Sequence, residues 1–183
     1  RERIQMRKGI KNLLRVMLLS FLIVFGIQQP YQVLAATGTI EYNDGEETYV
    51  GKYNAKTETK EGKGKYYCLD GTVITGIWKN DYLKGKATVI YPNKDKYVGY
   101  FKNDERNGSG TYTWKNGDKY KGLWKNDVMN GKGTYTWKNK NYVTGTWKNG
   151  KLNGKATLKI RKYKYSIKVS NGKLTKVYSR KKA

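Results

Sequence analysis

Hydrophobic and polar residues alternate with a period of two after roughly the first quarter of the chain. Tyr120, Gly122 and Trp124 occupy alternate positions, and Tyr135 and Trp137 do so after them, with Lys or Thr mostly in between. An amphipathic helix would instead place apolar residues three and four positions apart. Each such segment therefore predicts a β-strand with one apolar face, and the fold class is predicted to be all-β.

The strands recur with a period of 23 residues. One glycine column follows this period without a break, and a second follows it apart from a single 25-residue step. Such a period indicates five tandem β-hairpin repeats over residues 49–160, each with a strand A and a strand B. The unbroken column is Gly62, Gly85, Gly108, Gly131 and Gly154; the second is Gly51, Gly76, Gly99, Gly122 and Gly145, each followed two positions later by Tyr53, Trp78, Phe101, Trp124 or Trp147.

The turns predict the register of these strands. A three-residue loop ending at Gly117 sets Gly108 opposite Trp124. A four-residue loop at 126–129 then sets Trp124 opposite Gly131, so each strand A ring is predicted to lie between two glycines whose bare backbone leaves room for it. The expected architecture is an elongated single-layer antiparallel β-meander in which each repeat contacts only its neighbours.

The first 35 residues have the pattern of a secretory signal. Basic residues precede an apolar run from Val16 to Ile27, and small residues follow at Ala35 and Ala36. The run is shorter than the about 20 residues that a membrane-spanning helix needs. We therefore predict a signal helix cleaved after Ala35, with an uncleaved N-terminal membrane anchor as the alternative; both would place the repeats outside the cytoplasm or at the cell envelope.

Segments on both sides of the five repeats are predicted to cap the sheet. Residues 36–48 resemble part of a strand B with its turn and predict a capping half-repeat. Residues 161–183 alternate and carry the turn dipeptide Asn171-Gly172, but they lose the glycine spacing. They predict a degenerate closing hairpin with a basic tail, which would shield the last strand edge from aggregation.

Composition argues against catalysis. The chain has 17 Tyr, 5 Trp and 21 Gly but no His and one Cys, so the commonest metal ligand and general base and any intrachain disulfide are excluded. We expect no enzyme activity, no metal site and no cofactor. Cys68 takes the column position of Tyr91 and Trp114 and is expected to pack there, with an intermolecular disulfide as the alternative.

A formal net charge of +24 indicates an anionic partner or surface. Eight lysines recur with the repeat and are the candidate anion-binding or lipid-binding residues. We expect them to form ladders of like charge that phospholipid headgroups or a phosphate-bearing wall polymer would relieve, although a solubilising lysine surface is the alternative. Nucleic acid is not expected, because export argues against it. One column, opposite the rings, is Lys63, Lys86, Lys132 and Lys155; the other, after the strand A aromatics, is Lys79, Lys102, Lys125 and Lys148.

Two strand A sequences, Tyr97-Val98-Gly99-Tyr100-Phe101 and Tyr120-Lys121-Gly122-Leu123-Trp124, each followed by Gly-x-Gly, resemble MORN repeats. The resemblance covers about residues 49–160. Units two and five depart from the pattern, with Ile74 and Val143 for the leading Tyr and Ala87 and Ala156 for the third glycine.

The resemblance implies an elongated antiparallel sheet used for protein association, dimerisation or contact with membrane lipid. We therefore expect a noncatalytic binding or scaffolding module at the cell envelope, with an anionic envelope component, a protein partner or a second copy as its target. A cell-wall attachment module of the choline-binding or glucan-binding kind is the alternative, because such modules also stack hairpins rich in Trp, Tyr and Gly. Their Trp-Tyr-Tyr run is absent here.

Overall fold

The computed structural model of the chain describes residues 39–40, 47–54, 56–57 and 59–183. These residues form one sheet whose thirteen strands follow chain order, each antiparallel to the next. The predicted all-β meander is confirmed. The strands are β1 (Thr39–Ile40), β2 (Thr48–Asn54), β3 (Thr59–Tyr67), β4 (Val73–Lys79), β5 (Tyr82–Ile90), β6 (Lys96–Lys102), β7 (Glu105–Thr113), β8 (Lys119–Lys125), β9 (Val128–Thr136), β10 (Tyr142–Lys148), β11 (Lys151–Ile160), β12 (Tyr163–Ser170) and β13 (Lys173–Lys182).

The predicted signal helix, its cleavage site and the alternative anchor lie outside the described residues. Among the residues that are described, no helix is long and apolar enough to cross a membrane. The C-terminal segment forms β12 and β13, which continue the sheet beyond the fifth repeat. The last of these strands is exposed along its whole length.

Two kinds of turn alternate along the sheet. In units two to five, strand A joins strand B through two residues, such as Asn126 and Asp127, whose φ angles are 48° and 65°. Two successive positive φ angles are typical of the type I′ hairpin turn, which matches the twist of paired strands and which Asn tolerates. The longer turns between repeats place a residue such as Gly117, at φ 92°, in the left-handed region, as predicted.

The predicted register is correct across the turns between repeats. Within each hairpin it is wrong at the end next to the turn. Across the turn at Gly117, Gly108 faces Trp124. Within the hairpin, however, Trp124 faces Met129 and not Gly131. The turn contains two residues instead of four, so the residues left over form a β-bulge in β9, opposite β8 between Gly122 and Trp124. The error in register is two residues, which is one full period of a strand, so each side chain was still assigned to the correct face of the sheet.

The unbroken glycine column lies at these bulges, and its role is conformational. Its five glycines have φ angles between 68° and 107°. A Cβ added at Gly85 or Gly154 would meet nothing within 4 Å, so lack of space does not select glycine there. The left-handed backbone of the bulge does. The prediction that a strand A ring lies between two glycines is therefore correct toward the preceding repeat, where Gly108 faces Trp124, and wrong within the hairpin, where Met129 does.

Three tyrosines lie over pairs of facing glycines and make the tightest packing in the sheet. Tyr120 is fully buried, and its hydroxyl donates a hydrogen bond to the Leu123 carbonyl at 3.1 Å. A Cβ on Gly122 would lie 2.5 Å from the Tyr120 hydroxyl oxygen, and a Cβ on Gly133 would collide with the same ring. Tyr49 over Gly51 and Gly64, and Tyr97 over Gly99 and Gly110, repeat this arrangement.

Units two and five fill the same space with aliphatic groups. In unit five, Val143 replaces the tyrosine, and the Ala156 Cβ and Leu152 Cδ1 occupy the space above Gly145, 2.9 and 3.0 Å from a Cβ built there. The loss of the ring is thus accompanied by the gain of methyl groups. Ile74, Ala87, Leu83 and Gly76 form the same set in unit two.

The strand A indoles join neighbouring repeats on this ring face. Trp124 packs edge-to-face against Tyr97 and Tyr120, with ring centroids 5.4 and 5.3 Å apart, and Trp147 packs against Tyr120 at 5.2 Å. Each tyrosine over a glycine pair therefore contacts an indole of the next repeat, Tyr49 with Trp78, Tyr97 with Trp124 and Tyr120 with Trp147. Such contacts add stability beyond the area buried.

The packing of Tyr120 predicts a coupled effect. Gly133→Ala is expected to lower the free energy of unfolding by about 1–3 kcal/mol, because the added methyl displaces the Tyr120 ring. Tyr120→Val alone leaves a cavity and is also expected to destabilise. The triple variant Tyr120→Val, Met129→Leu and Gly133→Ala, which copies unit five, should be more stable than the sum of the separate effects by at least about 1 kcal/mol.

Urea denaturation of the single and combined variants measures this coupling. Ala156→Gly in unit five is the matched control, and we expect it to destabilise because it removes a buried methyl group. Additive effects would show that the tyrosine and the glycine do not share one space.

Candidate functional site

All eight candidate lysines are exposed on the outer face, which we define as the face of the sheet opposite the buried rings of Tyr97, Tyr120 and Trp124. The alternation of the strands explains this position, because Lys79 and Lys102 each follow a buried ring. The outer face therefore presents ammonium groups to solvent along the whole array. The eight are Lys63, Lys79, Lys86, Lys102, Lys125, Lys132, Lys148 and Lys155.

The predicted ladders of like charge do not form over most of this face. Lys63 faces Ile77, and Lys86 faces Tyr100. Both pairs lie across turns between repeats, where the pairing is regular, so uncharged residues of the next strand A separate these lysines and the expectation of continuous ladders is corrected. Lys132 faces Thr146, Lys79 faces Tyr82, Lys102 faces Glu105 and Lys125 faces Val128; Lys148 faces Lys151 and Lys155 faces Lys168.

Acidic residues on one rim of the ring face link successive repeats. Asp95 accepts hydrogen bonds from the Tyr112 hydroxyl at 2.7 Å and from the Lys115 backbone N–H at 2.8 Å. Burial opposes ionisation of Asp95, but these hydrogen bonds and one from Asn93 outweigh it and lower the pKa of the carboxyl group. Asp118 binds Tyr135 and Lys138 in the same way.

The Asn-Asp turns perform a similar structural role on the opposite rim. Asp127 accepts a hydrogen bond from the Arg106 backbone N–H and forms an ion pair with its guanidinium, both at 2.9 Å. The guanidinium also lies 4.5 Å from the Trp124 ring centroid. Asp104 accepts a hydrogen bond from the Leu83 N–H at 2.6 Å. In the described part of the chain, no three His, Cys, Asp or Glu residues form a metal site.

A half-buried aromatic stripe runs along the rim of the ring face. The centroid of Trp114 lies 4.8 Å from that of Tyr112 and 5.1 Å from that of Tyr135, and the Tyr135 and Trp137 centroids lie 5.3 Å apart. Trp137 is 36% exposed. Unlike the core rings, these rings retain free surface on which a flat ligand could stack. The strand pattern placed them on the ring face, but their partial exposure depends on lying near the rim.

Cys68 is half-buried and packs against the same core, as its column position predicted. Burial is the main cause that raises the pKa of its thiol to about 12; Asp70 and Glu47 add to the shift and Lys60 opposes it. The thiol is therefore protonated at neutral pH, which disfavours both nucleophilic chemistry and disulfide exchange.

Two shallow hollows lie on the outer face near the C-terminal end of the sheet. One has a volume of about 420 Å³ and is lined by Tyr142, Lys159, Arg161, Lys162, Lys164 and Ala183. The other, of about 320 Å³, is lined by Lys132 and Lys155 with the hydroxyl groups of Thr144, Thr146, Thr157 and Ser166. Of these residues, only Lys132 and Lys155 were among the candidates predicted from the repeat period; Lys164 and Ser166 lie on β12, outside the repeats.

The family described as MORN repeat matches residues 59–73, 75–96, 97–119, 120–142 and 144–162. No curated protein sequence matches the chain. The SAS-4 (dCPAP) TCP domain of Drosophila melanogaster, in complex with a proline-rich motif of Ana2 (dSTIL), is a similar solved structure, with 14% identity and a TM-score of 0.24. The match covers 84% of this chain and 96% of that one. At that TM-score, the likeness carries no conclusion about this chain.

The carboxylate network predicts a pH-dependent loss of stability. Because the folded-state pKa of Asp95 is lowered, its contribution is present above the unfolded-state value and is lost as pH falls through the folded-state value. Asp95→Asn should therefore lower the free energy of unfolding at pH 7 by about 1–2 kcal/mol. The difference from the parent protein should shrink below pH 3.8. Urea denaturation across this range measures it, with exposed Glu105→Gln as control; an unchanged difference at low pH would contradict this account.

The environment of Cys68 predicts slow thiol chemistry. At pH 8 we expect Ellman's reagent to react about a hundredfold more slowly with the folded protein than with a free thiol. The rate should recover in guanidinium, where the raised pKa is lost. A rate in the folded protein that already equals that of the unfolded chain would show an accessible thiol, and would favour the intermolecular disulfide instead.

Proposed function

This chain belongs to the MORN repeat family, and on that premise we propose that it is an exported, noncatalytic binding module of the cell envelope. Arrays of this family are commonly binding or scaffold modules, and the repeats account for most of the described sheet. Export rests on the sequence pattern of residues 1–35. The proposed targets are anionic lipid headgroups, an anionic wall polymer or a protein partner, which includes a second copy of the chain.

The observation that carries this proposal is the exposure of all eight repeat lysines on one face, while the opposite face is closed by packed rings. Lysines of one column recur every second strand, about 10 Å apart. That spacing fits an extended anionic surface better than a single small anion. The outer face is therefore the surface on which we expect the main contact.

Apolar residues between the lysines strengthen this interpretation. Ile77, Tyr100 and Leu123 occupy equivalent outer-face positions in successive repeats and are 44–48% exposed. Ile77 faces Lys63 and Tyr100 faces Lys86 across the strands, whereas Leu123 faces Ser109. A mixture of exposed apolar and basic groups suits the interfacial region of an anionic membrane, or the rim and centre of a protein interface.

A wall attachment module of the choline-binding or glucan-binding kind is the second candidate. The half-buried stripe of Tyr112, Trp114, Tyr135 and Trp137 favours it, because sugars and quaternary ammonium groups bind against exposed aromatic faces. Trp78, Trp124 and Trp147 are buried and cannot contribute. The binding surface for this function would therefore be confined to the rim.

Cosedimentation with vesicles containing phosphatidylglycerol and with purified cell wall tests the two functions. For the lysine function we expect binding that weakens steeply from about 0.1 to 1 M salt, as the Debye length falls from about 10 to about 3 Å. Exchange of Lys79, Lys102, Lys125 and Lys148 for Gln should weaken the binding to vesicles at least about tenfold, the equivalent of four exposed ion pairs.

Trp114→Ala with Trp137→Ala is the matched variant for the second function, and under the lysine hypothesis it should leave binding nearly unchanged. Salt-insensitive binding that choline or soluble glucan competes away, and that this aromatic variant loses, would overturn the lysine hypothesis. It would support the wall attachment module.

A further inference from the structure

The positive charge of the chain is concentrated in its C-terminal part. All 14 Asp and Glu residues lie at or before Asp127, whereas Lys and Arg continue to Lys182. The two ion pairs among the described residues, Lys60 with Asp81 and Arg106 with Asp127, also involve only the earlier part. From β9 onward, the chain contains no Asp or Glu that could neutralise its lysines. The eight repeat lysines are therefore not equivalent, because their electrostatic surroundings differ.

Three rows of side chains cross the outer face of β11, β12 and β13. The middle row carries hydroxyl groups, and the row on each side carries three lysines that face one another across the strands. We name this surface the lysine–hydroxyl patch. Its rows are Lys155, Lys168 and Lys176; Thr157, Ser166 and Ser179; and Lys159, Lys164 and Lys181.

Such rows are unfavourable for the sheet alone, since like charges directly opposite each other destabilise paired strands. Lysines on an edge strand such as β13 serve to prevent edge-to-edge association. That role does not explain Lys155 and Lys159 on β11 or Lys164 and Lys168 on β12, because both strands are paired on both sides. A bound anion would relieve the repulsion.

The chemistry of the patch indicates which anion fits. Ammonium and hydroxyl groups both donate hydrogen bonds to phosphate oxygens. Side chains on one strand recur about 6.8 Å apart and neighbouring strands lie about 4.8 Å apart, so several phosphate groups of one chain can be held together. The hollows lined by Lys159 and Lys164 and by Lys155 and Thr157 border the patch and add depth.

The three rows contain no aromatic and no aliphatic side chain. Two tyrosines adjoin these rows: Tyr142 faces Lys159, and the Tyr178 ring centroid lies 5.3 Å from the Lys176 ammonium group. The rows themselves offer no series of rings on which nucleic-acid bases could stack and no apolar groups to enter the acyl region of a membrane. Ile77, Tyr100 and Leu123, the exposed apolar outer-face residues of successive repeats, belong to the earlier part of the sheet. A hydrophilic polymer with repeated phosphates matches the patch better than either alternative.

We propose that the lysine–hydroxyl patch binds a phosphodiester-linked polyol chain, an inference that rests on the proposed function at an anionic cell envelope. The patch extends over β12 and β13, beyond residue 162, where the family match ends. Two of its three strands therefore belong to this chain's closing hairpin and not to the repeat motif. The earlier lysines contribute little to holding this polymer.

Titration of the full chain with a synthetic glycerol phosphate oligomer of defined length tests the proposal. The patch variant exchanges Lys155, Lys159, Lys164 and Lys168 for Gln, and a control of equal charge exchanges Lys63, Lys79, Lys86 and Lys102. We expect the patch variant to weaken oligomer binding at least about tenfold, as for four lost ion pairs, and the control by less than about twofold.

A second variant keeps the charge and removes hydroxyl groups, through Thr157→Val and Ser166→Ala. It should also weaken oligomer binding, by about threefold or more for two lost hydrogen bonds. It covers the case in which the patch variant fails to fold. A third readout needs no ligand, since the patch variant should unfold at a higher urea concentration than the parent at low salt because like charges are removed.

Other results would overturn the proposal. Equal losses in the patch variant and the charge-matched control would show diffuse attraction without a site. Tighter binding to single-stranded DNA or to phosphatidylglycerol vesicles than to the oligomer at equal phosphate concentration would assign the patch to those ligands. If the parent protein binds vesicles or wall but only the control variant is impaired, this inference fails alone; if the parent binds no anion, the proposed function fails as well.

Discussion

The contact between a tyrosine ring and a pair of facing glycines is the interaction on which this sheet depends. A single-layer sheet has no second layer to remove its apolar face from water, so the strands must supply their own cover. Tyr120 does this by lying across Gly122 and Gly133, where no Cβ is present to lift the ring. Its edge-to-face contacts with Trp124 and Trp147 then connect one repeat to the next.

Each repeat behaves as a set of residues that change together. Where the leading tyrosine is present, a carboxylate two positions earlier receives a strand B tyrosine hydroxyl, as in Asp95 with Tyr112 and Asp118 with Tyr135. Unit five has Val143, Asn141 and Leu158 in the corresponding places, and unit two has Ile74, Thr72 and Val89. The ring over glycine and the tyrosine on the rim are therefore lost together, which preserves both the fit and the hydrogen-bond pairing of each unit.

Most of the fold followed from the sequence because period two and period 23 are both explicit in it. The bulge did not, because a two-residue and a four-residue loop after Lys125 bury the same face and differ only in whether Met129 or Gly131 meets Trp124. Exposure of the lysines was predictable from alternation, but the neighbour of a lysine beside the hairpin turn, such as Val128 opposite Lys125, was not, since the bulge sets it. The lysine–hydroxyl patch was missed because the glycine period ends before it, although the absence of acidic residues after Asp127 was a readable signal.

The self-covering of the sheet also determines where a partner can bind. Because rings such as Trp124 and Trp147 are used to close one face, free surface remains only on the aromatic rim and on the outer face. The outer face is itself divided, since exposed apolar groups such as Leu123 accompany the lysines in the earlier strands, whereas the three paired rows across β11 to β13 consist of ammonium and hydroxyl groups. One continuous sheet thus offers an amphipathic surface at one end and a hydrophilic cationic surface at the other. A partner with both characters, such as an envelope in which anionic polymer lies close to anionic lipid, would match the two surfaces in one orientation of the sheet.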